Sequence, residues 1–321
     1  MANATLRKVI TGFSAQDPAV IDSLLNASGI LDTALFEGAS HNAWDVGKKV
    51  SSLPSGSFIQ PGGSTTDQTV DDEIVQTDLK LMRSIQSEPI EIVQSYPGGK
   101  EAFFRNQSPA FLEGLGQTLA KQVIYGVNST FGDESGFDGF HQIARRNGKV
   151  IQANGASGSR TTIFAVRWRP GVCSMLFNPN HMAAGEFIKF SYVNGGEPVM
   201  EVTNTTTAAK KLVYQGFYDS YSALKALDSK NIAAYTQIQD ADNGRPTSDN
   251  MDLLLDYVNA DPTNTFLYCN RTGRRMLNKL KDGKLEMIPA GNNYDRRVEA
   301  WNGIPIVLDE NILSTETSVL D

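Results

Sequence analysis

The stretch SPAFLEGLGQTLAKQVIYG, residues 108–126, predicts a long amphipathic helix. Apolar side chains recur in it at every fourth position: Phe111, Leu115, Leu119 and Val123. This is the spacing of one face of an α-helix. Ser108 suits the N-cap, Pro109 suits the first helical position, and Gly126 suits the end. At 1.5 Å per residue, this stripe of about 17 residues would be roughly 26 Å long.

A polar loop, Gly126–Gly139, follows this helix. Enzymes often carry their catalytic side chains in such loops. This loop contains no nucleophile, base and orienting group in a recognisable arrangement. We therefore predict that the loop serves geometry and carries no chemistry.

The composition is that of a globular protein. The chain has 321 residues, of which 40% are apolar and 20% charged, enough for one large or two ordinary domains. Its net charge of −7 argues against a dedicated nucleic-acid-binding protein, which needs an excess of Lys and Arg. No apolar run approaches the roughly 18 residues that cross a bilayer, and no signal core opens the chain. We expect a soluble protein made in a cytoplasm.

The segments before the long helix indicate an arm and a hairpin. Within residues 1–37, Asp17-Pro18 marks the start of a short helix that Gly29 would end. Residues 38–76 have alternating apolar positions, which predict two strands with turns at their tip. Such a hairpin buries little by itself, so it would lie on a neighbouring molecule or, alternatively, be covered by its own chain. Residues 77–96 have helical spacing.

The second half of the chain is predicted to mix strands and helices. Residues 160–240 are rich in strand patterns, including KFSYVNGGEPVMEV, which predicts two strands around an Asn-Gly turn. Four elements are predicted after them: a helix capped by Ser248, a strand at Thr265–Cys269, a helix from about Thr272 to Leu280 and a closing strand at Ile304–Leu308. The expected fold class is α+β.

The sequence contains no catalytic or metal-binding constellation. There is no phosphate-binding loop, dinucleotide fingerprint or nucleophile elbow, and Gly155–Arg160 is best read as a linker. Asp71–Glu73 are predicted to be solvated, and Cys173 and Cys269 to be small buried side chains. Three histidines lie far apart, outside any metal-binding pair: His41, His141 and His181. We predict a protein that is not an enzyme and that uses no cofactor.

A basic run lies near the predicted second helix of the C-terminal part. It could contact phosphates, form a solvated face or make ion pairs between subunits. Its members are Arg271, Arg274, Arg275, Lys279, Lys281 and Lys284.

Seven segments of the chain, taken in order, resemble the major capsid proteins of tailed bacteriophages. They are HNAWDVGKKVSSLPSGSF, AFFRNQSPAFLEGLGQTLAKQVIYGVNST, FDGF, TTIFAVRWRPGVCSMLFNP, FYDSYSALKALDSKNIAAYTQI, FLYCNRTGRRMLNKL and NGIPIVLDENIL. The resemblance implies the Hong Kong 97-type fold. Residues 1–37 would then be an N-terminal arm and 38–78 an extended β-hairpin loop. Residues 79–240 would form a peripheral domain with the spine helix 108–125, and 241–321 an axial domain with a closing strand.

The resemblance also implies a function. The protein would assemble with itself into hexamers and pentamers of an icosahedral head that encloses double-stranded DNA, in the host cytoplasm and without a membrane. Portal, scaffolding and decoration proteins would be further partners. Some relatives cross-link a hairpin Lys to an Asn; no acceptor Asn is matched here, so the hairpin lysines are expected to be solvated. The candidate assembly residues are Trp44, Lys48, Lys49, Phe111, Leu115, Leu119, Arg271, Arg274 and Arg275.

Two other functions remain open at this point. An encapsulin-type compartment has the same fold and would package protein instead of DNA. A hydrolase with a β-rich body would instead be a small oligomer with a perturbed acid–base pair.

Overall fold

The computed structural model describes residues 28–52, 54–180, 187–204, 209–241, 244–280, 285–289 and 297–317. The predicted helix of the arm, His181, Lys281 and Lys284 lie outside these ranges. Gly29, which was expected to end that helix, is the first residue of α1 (Gly29–Thr33). The reason is a cap: the hydroxyl of Ser28 accepts hydrogen bonds from the backbone of Ile30 and Leu31.

The described elements form an α+β fold. The other helices are α2 (Ile90–Ser95), α3 (Gly99–Tyr125), α4 (Phe140–Arg146), α5 (Ser248–Tyr257) and α6 (Arg271–Lys279). The strands up to the middle of the chain are β1 (Phe36–Gly38), β2 (Trp44–Ser52), β3 (Asp71–Asp78), β4 (Lys80–Pro89), β5 (Val150–Gln152), β6 (Thr161–Arg167) and β7 (Cys173–Phe177). The later strands are β8 (Lys189–Tyr192), β9 (Val199–Asn204), β10 (Ala209–Ala226), β11 (Ile232–Ile238), β12 (Thr265–Cys269), β13 (Leu285–Pro289), β14 (Arg297–Trp301) and β15 (Ile304–Leu308).

The long strand β10 organises the first sheet. β4 pairs antiparallel with one edge of β10, from Val213↔Pro89 to Ser222↔Lys80. β9, β8 and β7 pair in succession along its other edge, and β1 joins β7. The sheet therefore depends on contacts between residues about 130 positions apart.

One sequence prediction is wrong in this sheet, and another is confirmed with an unexpected pairing. Most of residues 77–96 is strand, and only α2 is helical, because β10 offers β4 ten pairing partners that local spacing does not reveal. β8 and β9 are strands as predicted, but they do not pair with each other. Each lies against a different part of β10, and the Asn-Gly turn between them is a left-handed step at Asn194 (φ 52°) and Gly195 (φ 65°).

Helix α3 is longer than predicted. It begins at Gly99, nine residues before Ser108, and its 27 residues extend for about 40 Å. The extra turns are stabilised because Phe103 and Phe104 are buried against aromatic side chains of β8 and β10. This burial offsets the roughly 3 kcal/mol that a proline costs inside a helix, here Pro109. The predicted end is confirmed: Gly126 terminates the helix with φ 62°.

Strand β6 separates two hydrophobic cores. It is central in the second sheet, whose order is β13-β14-β15-β12-β6-β11-β5. Its alternation is confirmed: Phe164 and Val166 face the core that contains α3 and α4. Ile163 and Ala165 face the core that contains α5 and α6. Both faces of β6 are buried, which explains why its sequence is an almost continuous apolar run.

The elements predicted for the C-terminal part are confirmed with small shifts. Thr247, not Ser248, caps α5, because its hydroxyl accepts a hydrogen bond of 3.3 Å from the backbone of Asn250. α6 begins at Arg271, capped by the side chain of Asn270. Within the described part of the chain, no helix combines the length and apolar character that a bilayer crossing requires.

Candidate assembly surfaces

The hairpin of β2 and β3 exposes several apolar side chains to solvent. Its strands pair in register from Trp44↔Asp78 to Ser52↔Asp71, so the predicted strands are confirmed. Among the described residues they pair only with each other, which leaves both outer edges open. Six apolar side chains of the hairpin and its tip are exposed: Val46, Val50, Phe58, Ile59, Val70 and Ile74. Exposed apolar residues at this density are typical of an interaction surface.

The base of the hairpin is fixed to the body of the subunit. The ammonium of Lys225 lies 2.7 Å from the carboxylate of Asp45, and both side chains are 8% exposed. Gly47 lies so close to Leu227 that a Cβ there would be 2.5 Å from its methyl group. The base of the hairpin is therefore packed against its own chain, which agrees with the alternative prediction for this part. The outer part of the hairpin is not covered by any of the described residues.

The three candidate residues of the hairpin have different surroundings. Trp44 is half-buried and stacks on His41, with ring centroids 3.7 Å apart. Lys48 is exposed and forms an ion pair of 2.6 Å with Asp72 across the strands. Lys49 is exposed. Asp71–Glu73 are exposed as predicted.

An open groove lies between strand β4 and helix α3. Leu81 and Met82 line it from the strand, and Phe111 and Gly114 from the helix. A Cβ on Gly114 would meet no atom within 4 Å, so this helix position opens onto free space. β4 pairs only with β10 among the described strands, so its second edge is open. The groove therefore combines apolar side chains with a free strand edge.

The stripe of α3 has two roles. Leu115 and Leu119 are buried in the subunit's own core, at 6% and 1% exposure. Phe111 is half-buried, stacks on Tyr218 and lines the groove. Leu115 also lines the groove, and Phe111 is the most exposed of the three candidates.

The polar loop Gly126–Gly139 is closed onto the end of α3. The side-chain amide of Gln122 accepts a hydrogen bond from the backbone N–H of Asp133 (2.9 Å) and donates one to the carbonyl of Phe137 (2.8 Å). The two glycines that bound the loop touch, because a Cβ on Gly126 would be 2.2 Å from the nitrogen of Gly139. The loop is thus a compact Ω-like loop that the helix organises.

The described members of the basic run form ion pairs within the subunit. Their distances are 2.7 Å for Arg271–Glu310, 3.7 Å for Arg274–Glu299, 3.6 Å for Arg275–Asp240 and 2.6 Å for Lys279–Asp240. The hydrogen bond from Lys279 lowers the pKa of Asp240. The arginines remain 40–77% exposed, so this surface is solvated and internally neutralised.

The described residues contain no group of three or more His, Cys, Asp and Glu side chains that could hold a metal. His41 lies in the hairpin region, whereas His141 is buried in α4. Cys173 and Cys269 are free and buried, as predicted. Burial raises the pKa of the Cys269 thiol to about 12 and raises that of Cys173 further, so neither is a ready nucleophile.

Sequence comparison identifies the family. The sequence model of the family described as Major capsid protein GP7 matches residues 15–320. The chain belongs to this family. It is a bacteriophage major capsid protein, as the resemblance implied, and the surfaces above are those of a structural subunit. No curated protein sequence matches the chain.

One solved capsid structure, that of bacteriophage epsilon15, shares the fold of this capsid protein. A chain of bacteriophage epsilon15 has a TM-score of 0.62 at 15% identity, with 90% of this chain and 88% of that chain covered. The bacteriophage JBD30 capsid gives 0.46 at 13%, covering 96% and 100%. The SrpI encapsulin of Synechococcus elongatus gives 0.42 at 11%, covering 70% and 89%. The likeness to epsilon15 is consistent with the Hong Kong 97-type fold; the other two are too weak to argue from.

Sequence reasoning missed the residues that shape these surfaces. Asp45 and Lys225 are 180 positions apart, and no local pattern connects them. Gln122 lies in the helix pattern as an ordinary polar residue, although it holds the loop. Gly114 had a visible signal, since a glycine inside an amphipathic helix costs about 1 kcal/mol and indicates a spatial reason.

Proposed function

We propose that this capsid protein assembles with itself into rings of six and five that close into an icosahedral shell around double-stranded DNA. The observation that carries this proposal is the set of exposed apolar side chains on the β2–β3 hairpin and its tip. A monomer would keep these side chains and both strand edges in water, which favours aggregation. A ring gives them a repeated partner, because a head-to-tail contact closes when its rotation fits.

We place the partner surface in the groove between β4 and α3 of a neighbouring copy. Only Leu79 separates β3 from β4, and the hairpin's base contacts Lys225 and Leu227, close to Ser222 of β10, which pairs with Lys80. No residue of the hairpin lines the groove of its own subunit, which lies along Leu81–Ser84, so the groove is open to another copy. We therefore propose that the hairpin of another copy fills the groove. Asp71 and Glu73 on the hairpin and Lys80 on β4 are exposed and opposite in charge, whereas Arg83 already pairs with Asp219 and Asp72 with Lys48.

Further partners are proposed because the protein belongs to a phage capsid family, and not because of particular contacts in the structure. We propose a portal, scaffolding and decoration proteins as partners, and assembly in the host cytoplasm. The packaged DNA would be bound without sequence preference, because the net charge of −7 and the neutralised basic run suit a wall that encloses DNA with little attraction for it. The alternative is an encapsulin-like compartment, which nucleic acid in purified native particles would contradict.

Assembly is tested with purified protein at rising concentration, by size-exclusion chromatography and electron microscopy. The wild-type protein is expected to form closed shells. Replacing the tip, residues 54–70, with a short Gly-Ser turn should leave the melting temperature of the subunit unchanged and abolish shells. A stable monomer at every concentration would contradict self-assembly, and normal shells from the shortened variant would contradict the role of the hairpin.

Trp44→Ala tests the base of the same hairpin, where Trp44 is half-buried and stacks on His41. Loss of a partly buried aromatic ring weakens each contact by roughly 1–2 kcal/mol, and a shell repeats the contact many times. We expect a reduced particle yield from a folded subunit. If the melting temperature falls in parallel with the yield, Trp44 belongs to the subunit's own core.

A further inference from the structure

A buried carboxyl group joins the C-terminal segment to the end of the spine helix α3. Glu316 is 3% exposed. Its carboxyl accepts hydrogen bonds from the hydroxyl of Tyr125, at 2.8 Å, and from that of Thr162, at 2.6 Å. Tyr125 is the last residue of α3, and Thr162 lies in β6. One side chain thus connects three separate parts of the chain.

The backbone around Glu316 is held at the same place. Its N–H donates to the carbonyl of Arg160, and its carbonyl accepts from the N–H of Gly158. Three residues earlier, the N–H of Leu313 donates to the hydroxyl of Tyr125 at 2.8 Å. Tyr125 therefore binds the segment twice, as acceptor at Leu313 and as donor at Glu316.

This segment continues from β15 in the second sheet, so it links that sheet to α3. The side-chain amide of Asn270, which caps α6, donates to the carbonyl of Ile312 at 3.0 Å. Asp309, at the start of the segment, accepts hydrogen bonds from Ser28 and from the backbone of Ile30. Residues 309–317 are therefore a strap between the two halves of the subunit.

The carboxyl of Glu316 has no ion pair among the described residues. Three elements bring titratable groups towards it: α3 brings Tyr125, α4 brings His141, and the segment before β6 brings Arg160. Asp309, on the strap itself, adds a negative charge that acts on Tyr125. The Arg160 Nε is buried and has no hydrogen-bond partner in the described structure. Both ring nitrogens of the fully buried His141 are likewise without a partner there.

We propose that Glu316 is a proton-controlled latch that holds residues 309–317 against the end of the spine helix. With the proton on, the neutral carboxyl is stable in its buried site. When the proton leaves to solvent, the site contains an ionised carboxylate that two hydroxyl groups solvate and no cation pairs. The strap then opens more often, and the coupling between the second sheet and α3 weakens.

The direction of the pH effect follows from burial. Burial raises the pKa of Glu316 from 4.5 to about 7, against the opposing hydrogen bonds and the charge of Arg160. The closed strap therefore binds the proton more tightly than the open one, so closure is favoured below pH 4.5 and loses strength as the pH rises to 7. His141 acts in the opposite direction, because burial lowers its pKa to about 3, and acid below pH 6.5 favours opening.

The test is hydrogen exchange of residues 309–317 in the unassembled subunit at pH 6 and pH 8, expressed as protection factors. Glu316→Gln keeps the acceptor oxygen and cannot titrate. The protection factor of the wild type divided by that of Glu316→Gln is expected to fall about ten-fold between the two pH values, given pKa values of about 7 closed and 4.5 open. The contribution of His141 is common to both proteins and cancels.

A ratio that does not change with pH would overturn the proposal. If Glu316→Gln does not fold, the wild-type protein alone tests the proposal. Infrared spectroscopy of protein with ¹³C-labelled glutamate side chains would then detect the band of a protonated carboxyl. The band should be present at pH 6 and lost by pH 8, together with a change in the protection of Leu313. A carboxyl ionised at both values would contradict the latch. The proposal does not rest on shell assembly, so either result leaves the proposed function unaffected.

Discussion

At the scale of single residues, the buried pair of Asp45 and Lys225 fixes where the hairpin leaves the body. Burial by itself would raise the pKa of Asp45, but hydrogen bonds from Lys225 and Ser40 outweigh it and lower this pKa. Breaking one side of such a pair costs about 3–5 kcal/mol, because the remaining charge stays buried. We therefore expect Lys225→Met to lower the free energy of unfolding by about that amount, measured by thermal or urea unfolding at pH 7.

Two variants make this experiment specific. In Asp45→Asn/Lys225→Met the amide oxygen can still accept from the backbone of Ser40, so most of the lost stability should return. Lys211→Met removes an exposed lysine that pairs with Glu201 at 3.0 Å, and should cost less than about 1 kcal/mol. Since the native pKa of Asp45 is lowered, its contribution to stability is present above its ordinary pKa of 3.8 and is lost as the pH falls through the native value. Equal costs for Lys225→Met and Lys211→Met would contradict this account.

At the scale of elements, the groove between β4 and α3 can be filled without disturbing the fold. Gly114 is exposed and helical, and no atom lies within 4 Å of its missing Cβ. Gly114→Trp should keep the subunit stable or stabilise it slightly, since glycine costs about 1 kcal/mol in a helix. If the hairpin of a neighbour docks in the groove, the variant should form few or no shells in electron microscopy.

Glu113→Trp is the matched control, because it places the same bulk at the adjacent exposed position, outside the groove lining. Its particle yield should stay near that of the wild type. If both variants form normal shells, the groove is not the docking site of the hairpin. The hairpin would then contact a different surface, and self-assembly itself would stand.

The elements also separate what the sequence could predict from what it could not. The stripe of α3, its end at Gly126 and the alternation of β6 follow from local spacing, and the structure confirms them. β4 could not be predicted, because its residues also fit a helical spacing and its partner β10 is about 130 positions away. The first turns of α3 were missed because Ser108-Pro109 is a strong start signal, which the packing of Phe103 and Phe104 overrides.

At the scale of the whole molecule, the candidate assembly surfaces combine features that the sequence predicts with features that arise only in the folded chain. The hairpin strands were predictable from alternation, but its buried anchor and the groove on β4 arise from contacts that only the folded chain brings together. The two hydrophobic cores meet at strand β6, whose residues alternate between them. Phe164 and Ile163 are neighbours in β6, yet they belong to different cores. A subunit built in this way should respond to a local change as one unit.

This unity is tested with Phe164→Ala, because Phe164 is fully buried in the core of α3 and α4. Removing a buried phenylalanine ring costs about 3–5 kcal/mol. Two tryptophans report on the two cores: Trp168 lies in the same core as Phe164, and Trp301 in the other. In variants that keep one of them as the sole tryptophan, Phe164→Ala should lower the fluorescence-detected unfolding midpoint of both reporters equally. Leu253→Ala, at an exposed position of α5, should move neither. A lower midpoint for Trp168 with an unchanged one for Trp301 would mean that the cores unfold separately, and that β6 transmits no cooperativity between them.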